Sequence, residues 1–327
     1  MRFASYTEQA GPAALIAGSA GVVQDAELYP LGDGLELLPL IRQGPGALRS
    51  AGQRALRQAS PVALSAVRLL PPLRPPSIRD FVAFEAHIEG VVRSLDGLGH
   101  TPEAWYQQPG FYFTNPHALY GAHDDVPISP LCTTFDFECE IGIVIGVAGT
   151  DLTPEEAREH IIGYTIFNDW SARDLQRAER ELGLGFSKGK DGANTLGPFL
   201  VTADEMDHHR DAAGFLDLTE TIRLNGELIG TDSAASIAWT FDELVAHASR
   251  GTWVLPGDVL GSGTCGTGCL AEIWGRRGER IPPPLRHGDV VTLTVEGLGE
   301  ISNRVVAAAE PAWVAPRARV RQRGPRR

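Results

Sequence analysis

The chain has 327 residues, of which 43% are hydrophobic and 21% charged, material for one large globular domain or two modest ones. Its formal net charge of −12 argues against a nucleic-acid partner, because phosphate backbones are bound by basic surfaces. Six arginines near the C-terminus (Arg317, Arg319, Arg321, Arg323, Arg326, Arg327) do not reverse this: they leave the body more acidic and read as a disordered, solvated tail over residues 316–327.

Near the N-terminus, the apolar run from Ala13 to Val23 is broken by Gly18 and Gly21 and follows Glu8, which fits neither a secretion signal nor a membrane span. A cytoplasmic setting with no membrane partner is expected. Cys132, Cys139, Cys265 and Cys269 accordingly read as reduced, buried thiols, and the last two have the wrong spacing for a zinc knuckle. Short β-like runs and helical patches such as Ala47 to Ala59 fill the first seventy residues. The stretch Leu70-Pro71-Pro72-Leu73-Arg74-Pro75-Pro76 suits neither a helix interior nor a central strand, so it reads as a stiff linker. The division expected is a small N-terminal domain with its linker over residues 1–74, a larger catalytic domain over 75–315, and the tail.

After the linker, Ser77 or Asp80 is placed to cap a helix running to about Arg93, with Phe81, Phe84, Ile88 and Val91 on its apolar stripe. Seven residues apart, Asp80 and His87 share a face of that helix. Taken alone, His87 is a helix-surface histidine. From His100 to Pro130 the chain is rich in Gly, Pro and aromatics, including Trp105, Tyr106, Phe111, Tyr112, Phe113 and Tyr120, and predicts a long, packed, functional loop.

The stretch Phe135 to Gly146 predicts a β-strand on which Asp136, Glu138 and Glu140 alternate to one face, with both faces apolar beyond Gly142. Neighbouring carboxylates on a buried strand repel, and a hard cation such as Mg²⁺ or Ca²⁺ would remove the conflict. An acidic strand end in water is the other reading, and a third carboxylate has to decide. Thr153-Pro154-Glu155-Glu156 signs a capped helix ending near His160, and the strand Ile161 to Phe167 then delivers Asp169. Arg173 and Gln176 lie four and seven residues on, along the helix that starts there. A carboxylate, an arginine and an amide together suit an organic acid held at a metal; alone they make a helix cap with a surface ion pair.

Lys188 and Lys190 sit in a glycine-punctuated loop lacking the spacing of a phosphate loop. From Val201 onward, β-like segments separated by turns predict a mostly antiparallel or mixed β architecture. Gly261-Ser262-Gly263-Thr264-Cys265-Gly266 matches a dinucleotide fingerprint literally, but Pro282-Pro283-Pro284 follows too soon for the required second strand. Its glycines are read as backbone approaching a ligand closely.

In combination, Asp80-x6-His87, Phe137-Glu138-x-Glu140, Asn168-Asp169-Trp170-Ser171-Ala172-Arg173-Asp174-x-Gln176, Gly189-Lys190 and Gly261-Ser262-Gly263-Thr264 ahead of Glu272 resemble the fumarylacetoacetate hydrolase family, from Ile78 to Val306. The resemblance implies an α+β, mostly β fold, a mixed β-roll catalytic domain with a small N-terminal domain. It also implies a homodimer holding Mg²⁺ (or Ca²⁺ or Mn²⁺), and hydrolysis of a C–C bond in a small diketo or oxo acid. Isomerisation or decarboxylation of the same acids is the alternative chemistry, and a non-catalytic metal-binding protein the alternative class. By resemblance Glu138, Glu140, Asp169 and Asp80 are metal ligands, His87 is the general base paired with Glu272, and Lys190 holds developing negative charge. Arg173, Gln176 and Thr264 lie near the substrate. Val82 and Arg180 stand where the family's hydrolases carry substrate tyrosines, and Asn194 where they carry a threonine, which implies an oxo acid smaller than fumarylacetoacetate.

Overall fold

The computed structural model describes residues 1–318 apart from 10, 12, 14–17 and 97–99; the arginine-rich end beyond 318 lies outside the described residues. Strand Cys139–Ile145 is central because both of its faces are apolar, and both faces are covered. Ile141, Ile143 and Ile145 pack into one core with Ile222, Leu293 and Phe241, whereas Val144 points into a second core with Phe3, Leu37 and Leu48. Strand Ile161–Asp169 flanks it antiparallel on one side, and Val259–Gly261 on the other.

Among the described residues this sheet has twelve strands, and a second sheet of five contains Thr219–Leu224, Val290–Val295 and Gly299–Val306. Pairing is mixed: Val259–Gly261 runs parallel to Ile78–Phe81, while most other ladders are antiparallel. The architecture is therefore α+β and mostly β, as the sequence implies. Strand Arg2–Thr7 pairs with Asn194–Thr202, so residues on both sides of the proline-rich stretch share the large sheet. No helix among the described residues is long and apolar enough to cross a membrane. Cys139, Cys265 and Cys269 are buried free thiols, and Cys132 is half-buried rather than buried.

Two local expectations differ from the structure. The helix expected from Ser77 or Asp80 is instead strand Ile78–Phe81 followed by helix Glu85–Asp96. Ile78 to Phe81 find ladder partners at Phe111–Thr114 and Val259–Gly261, and those distant pairings outweigh the local helical pattern. Asp80 and His87 thus sit on different elements. The strand expected over Phe135 to Gly146 breaks at Phe137-Glu138, and Asp136 pairs with Ser171 in a separate two-stranded ladder.

Helix Glu85–Asp96 packs on helix Leu270–Arg277 at backbone distance. A Cβ on Gly275 would stand 1.9 Å from the carbonyl oxygen of Gly90, and one on Gly90 would stand 2.3 Å from Cγ of Glu272. This contact holds His87 and Glu272 face to face. Gly275→Ala is expected to force the helices apart and cost about 1–3 kcal/mol, the usual penalty of overpacking. Thermal unfolding checks it, and an unchanged midpoint would contradict the close packing.

Candidate metal centre and active site

Four carboxylates meet beside the central strand. Glu138 and Glu140 flank its first residue, Asp169 ends Ile161–Asp169, and Asp80 lies on Ile78–Phe81. Register brings them together: Gly261 pairs with Gly142 on one side and with Asp80 on the other. One oxygen from each carboxylate lies within 4.8 Å of those of the others, and all four residues are buried. Gly261 leaves room for this, since a Cβ there would meet Asp80 Oδ1 at 2.3 Å and Glu140 Oε2 at 2.8 Å.

Two cationic side chains serve the cluster. Lys190 Nζ donates to Glu138 Oε2 at 2.5 Å and also to Asp169. Arg173 places Nη1 2.7 Å from Glu138 Oε1, while its Nε donates to Asp136 Oδ2 at 2.8 Å. Burial pushes Glu138 up, but Lys190 and Arg173 together hold it below the usual carboxylate range. The others go the opposite way. Burial, then the charge of Asp80, drives Glu140 well up. Burial raises Asp169 well above its ordinary value despite Lys190, and it raises Asp80 as well. Among the described residues, Asp80 Oδ1 and Asp169 Oδ1 are buried without a hydrogen-bond partner. Four oxygen donors, two orphaned atoms and too little positive charge fit a hard divalent cation such as Mg²⁺, Mn²⁺ or Ca²⁺.

His87 stands over this floor from helix Glu85–Asp96. Its Nε2 is 3.8 Å from Glu138 Oε1 and its Nδ1 is 3.7 Å from Glu272 Oε2. Both exceed a hydrogen bond, and the imidazole's hydrogen-bond contact is instead between Nδ1 and Cys269 Sγ at 3.7 Å. Glu272 is held by the Thr267 backbone amide and by Arg276, leaving Oε2 buried, unpartnered and close to the imidazole. Thr264 donates to Glu140 Oε1 at 3.3 Å and Gln176 accepts from Arg173 at 3.2 Å, so both support the carboxylate cluster directly or through Arg173.

Above the floor opens a cavity of about 470 Å³, whose lining includes Val82, Arg177, Arg180 and Phe186. The ten residues singled out in the sequence thus gather around one cavity and its floor. Two further residues take roles that the sequence reading does not give them: Tyr112, read as a packed loop aromatic, and Asp136, read as a third acid on the strand face. Tyr112 donates its hydroxyl to Asp169. Strand alternation turns Tyr112 to the face opposite the exposed Phe111 and Phe113, which three successive aromatics in the sequence do not reveal. Asp136, which the alternation places beside Glu138, instead holds Arg173 and accepts from the amides of Leu270 and Ala271 at a helix start. No local pattern encodes that role.

Comparison with known proteins identifies the family. Residues 77–306 match the fumarylacetoacetate (FAA) hydrolase C-terminal family. An oxaloacetate tautomerase of Bacillus subtilis (strain 168) is 29% identical over 245 residues, 74% of each chain. A fumarylacetoacetate hydrolase from psychrophilic Exiguobacterium antarcticum superposes with a TM-score of 0.70 at 29% identity, covering 94% of this chain and 99% of that one. A maleylpyruvate hydrolase from Sphingobium sp. SYK-6, solved with a manganese(II) ion and pyruvate, shares the fold at 23% identity and a TM-score of 0.70, covering 94% and 100%.

The carboxylate cluster gives stability a pH slope of known sign. Glu140 and Asp169 titrate higher in the folded chain than when unfolded, so the folded state binds more protons. Ion-free stability is then expected to fall as pH rises above the ordinary carboxylate range toward those raised values. Added Mg²⁺ should flatten the slope, and Glu140→Gln should weaken both the slope and the Mg²⁺ effect. Denaturant titrations at mildly acidic and mildly alkaline pH check this, and a Glu140→Gln protein with undiminished Mg²⁺ stabilisation would exclude Glu140 as a ligand.

Proposed function

The chain belongs to the fumarylacetoacetate hydrolase family, and on that premise we propose that it is a divalent-metal-dependent enzyme hydrolysing a C–C bond in a small diketo or oxo acid. The observation that carries the reading is His87 set between Glu138 and Glu272, over four carboxylates fit for a hard cation. Bound by Glu138, Glu140, Asp169 and Asp80, the cation would supply Lewis acidity toward the oxygens of an oxo acid. His87 Nε2 takes the proton of the water that attacks the ketone carbon. Glu272, 3.7 Å from Nδ1, balances the imidazolium that forms. The Lys190 ammonium, buried among the carboxylates, stabilises negative charge developing on the departing enolate. Arg173 keeps Glu138 ionised and in place while its other contact holds Asp136.

Keto–enol tautomerisation of the same acids is the second reading. The Bacillus subtilis relative favours it, and it uses the proton step at His87 without the attacking water. NMR of products from an acylpyruvate and from oxaloacetate separates the two. Release of pyruvate and a second acid supports hydrolysis, and keto–enol exchange with no cleavage replaces it with tautomerisation.

Two outcomes follow for the residues themselves. His87→Ala should lower kcat by about 10²–10⁴, the range for loss of a general base, with divalent-ion content unchanged. Loss of the ion together with activity would make His87 a ligand instead. Val82 offers no hydroxyl to a ligand, and Arg180 adds a guanidinium to the cavity lining. A smaller anionic oxo acid should therefore exceed fumarylacetoacetate in kcat/KM by about tenfold or more, and steady-state kinetics showing the reverse preference would refute this view of the pocket.

A further inference from the structure

We propose that Cys139, Cys265 and Glu220 form a second metal site, suited to a borderline divalent ion such as Zn²⁺, on the opposite face of the strand from Glu138 and Glu140. One ligand atom from each residue lies within 4.8 Å of those of the other two, and all three residues are fully buried. Strand alternation turns Cys139 away from its acidic neighbours, so this cluster is separate from the four-carboxylate floor.

The second observation concerns Glu220. Among the described residues, both of its carboxylate oxygens are buried without a nitrogen or oxygen donor, and the Cys265 thiol faces them as a weak one. Glu220 also sits directly opposite Asp232 in the ladder, a like-charged pair that repels. Asp232 Oδ2 accepts from the amide of Gly266, next to Cys265. Among the described residues, no lysine, arginine or histidine offsets Glu220. A buried, unpartnered carboxyl facing two thiols is costly unless a ligand completes it.

The donor set indicates the ligand's chemistry. Sulfur and carboxylate donors suit Zn²⁺, whereas the all-oxygen floor suits hard ions, so the two sites would sort metals by softness. On binding, the two thiol protons pass to solvent and sulfur lone pairs form the metal bonds, with no change of oxidation state. The site would also act on its neighbour. The Cys265 amide donates to the Cys139 carbonyl at 3.1 Å, and Thr264, beside Cys265, donates to Glu140. An ion there would pin the strand and loop that shape the hard-cation floor.

The experiment is titration of the metal-free protein with Co²⁺ in excess Mg²⁺. A near-ultraviolet thiolate-to-cobalt band is expected at stoichiometric Co²⁺. It should be lost in Cys265→Ser, weakened in Glu220→Gln and kept in Cys269→Ser. Absence of the band from the wild-type protein would overturn the proposal. So would a band kept in Cys265→Ser and lost in Cys269→Ser, which would place the ion beside His87. X-ray absorption at the zinc edge of the Zn²⁺-loaded wild-type protein needs no variant: two sulfur scatterers are expected, and a shell of oxygen and nitrogen alone overturns the site.

Discussion

Four buried carboxylates within 4.8 Å of one another cannot all stay charged without compensation, and much of the molecule answers that constraint. Lys190 arrives on a turn between two segments, its amide bonded back to Ser187, and reaches Glu138 and Asp169. Arg173 arrives at the first turn of helix Arg173–Arg180, immediately after the short ladder that carries Asp136. Gly261 supplies the space, and Tyr112 supplies a hydroxyl to an otherwise crowded Asp169. Even so, two carboxylate oxygens remain unpartnered. The fold has assembled a centre with more carboxylate oxygens than the described residues satisfy.

The arrangement separates a stiff part from a lighter one. Asp80, Glu140 and Asp169 belong to buried strands, and Glu138 sits in the break directly before one of them, where displacement disturbs the packed cores. His87 and Glu272 belong to two helices that touch through glycine backbones at the edge of that framework. Asp136 joins the two parts: the same carboxylate grips Arg173, which serves the floor, and the first amides of the helix that carries Glu272. A single buried aspartate thus sets Glu272 relative to the acids below.

How much of this could be seen in the sequence depended on the range of the cause. Glu138, Glu140 and Asp169 were legible because strand alternation and a strand's end are local patterns. The capped helix at Thr153 was legible for the same reason, and the structure has both halves of its capping box. Asp80 was assigned to the right cluster only through family resemblance, while its local pattern suggested a helix. Its true partners, Tyr112 and Gly261, lie far along the chain, and no short-range signal encodes such a register. Asp136 was misplaced for a related reason: alternation holds only while a strand continues, and this one breaks at Phe137.

The wall of the cavity is built differently from its floor. Arg173 and Arg180 open and close one short helix, so the first reaches the buried acids while the second is exposed. Their positions are separated by about 10 Å of helix rise. At that spacing, changes without shared partners add nearly independently. Inherited variation at Arg180, Arg177 or Val82 can therefore reshape the cavity wall while leaving the charge pairs of the floor in place. Within two turns of helix the chain thus keeps a part free to vary apart from a part that is not, and drift at the mouth need not disturb the ground beneath it.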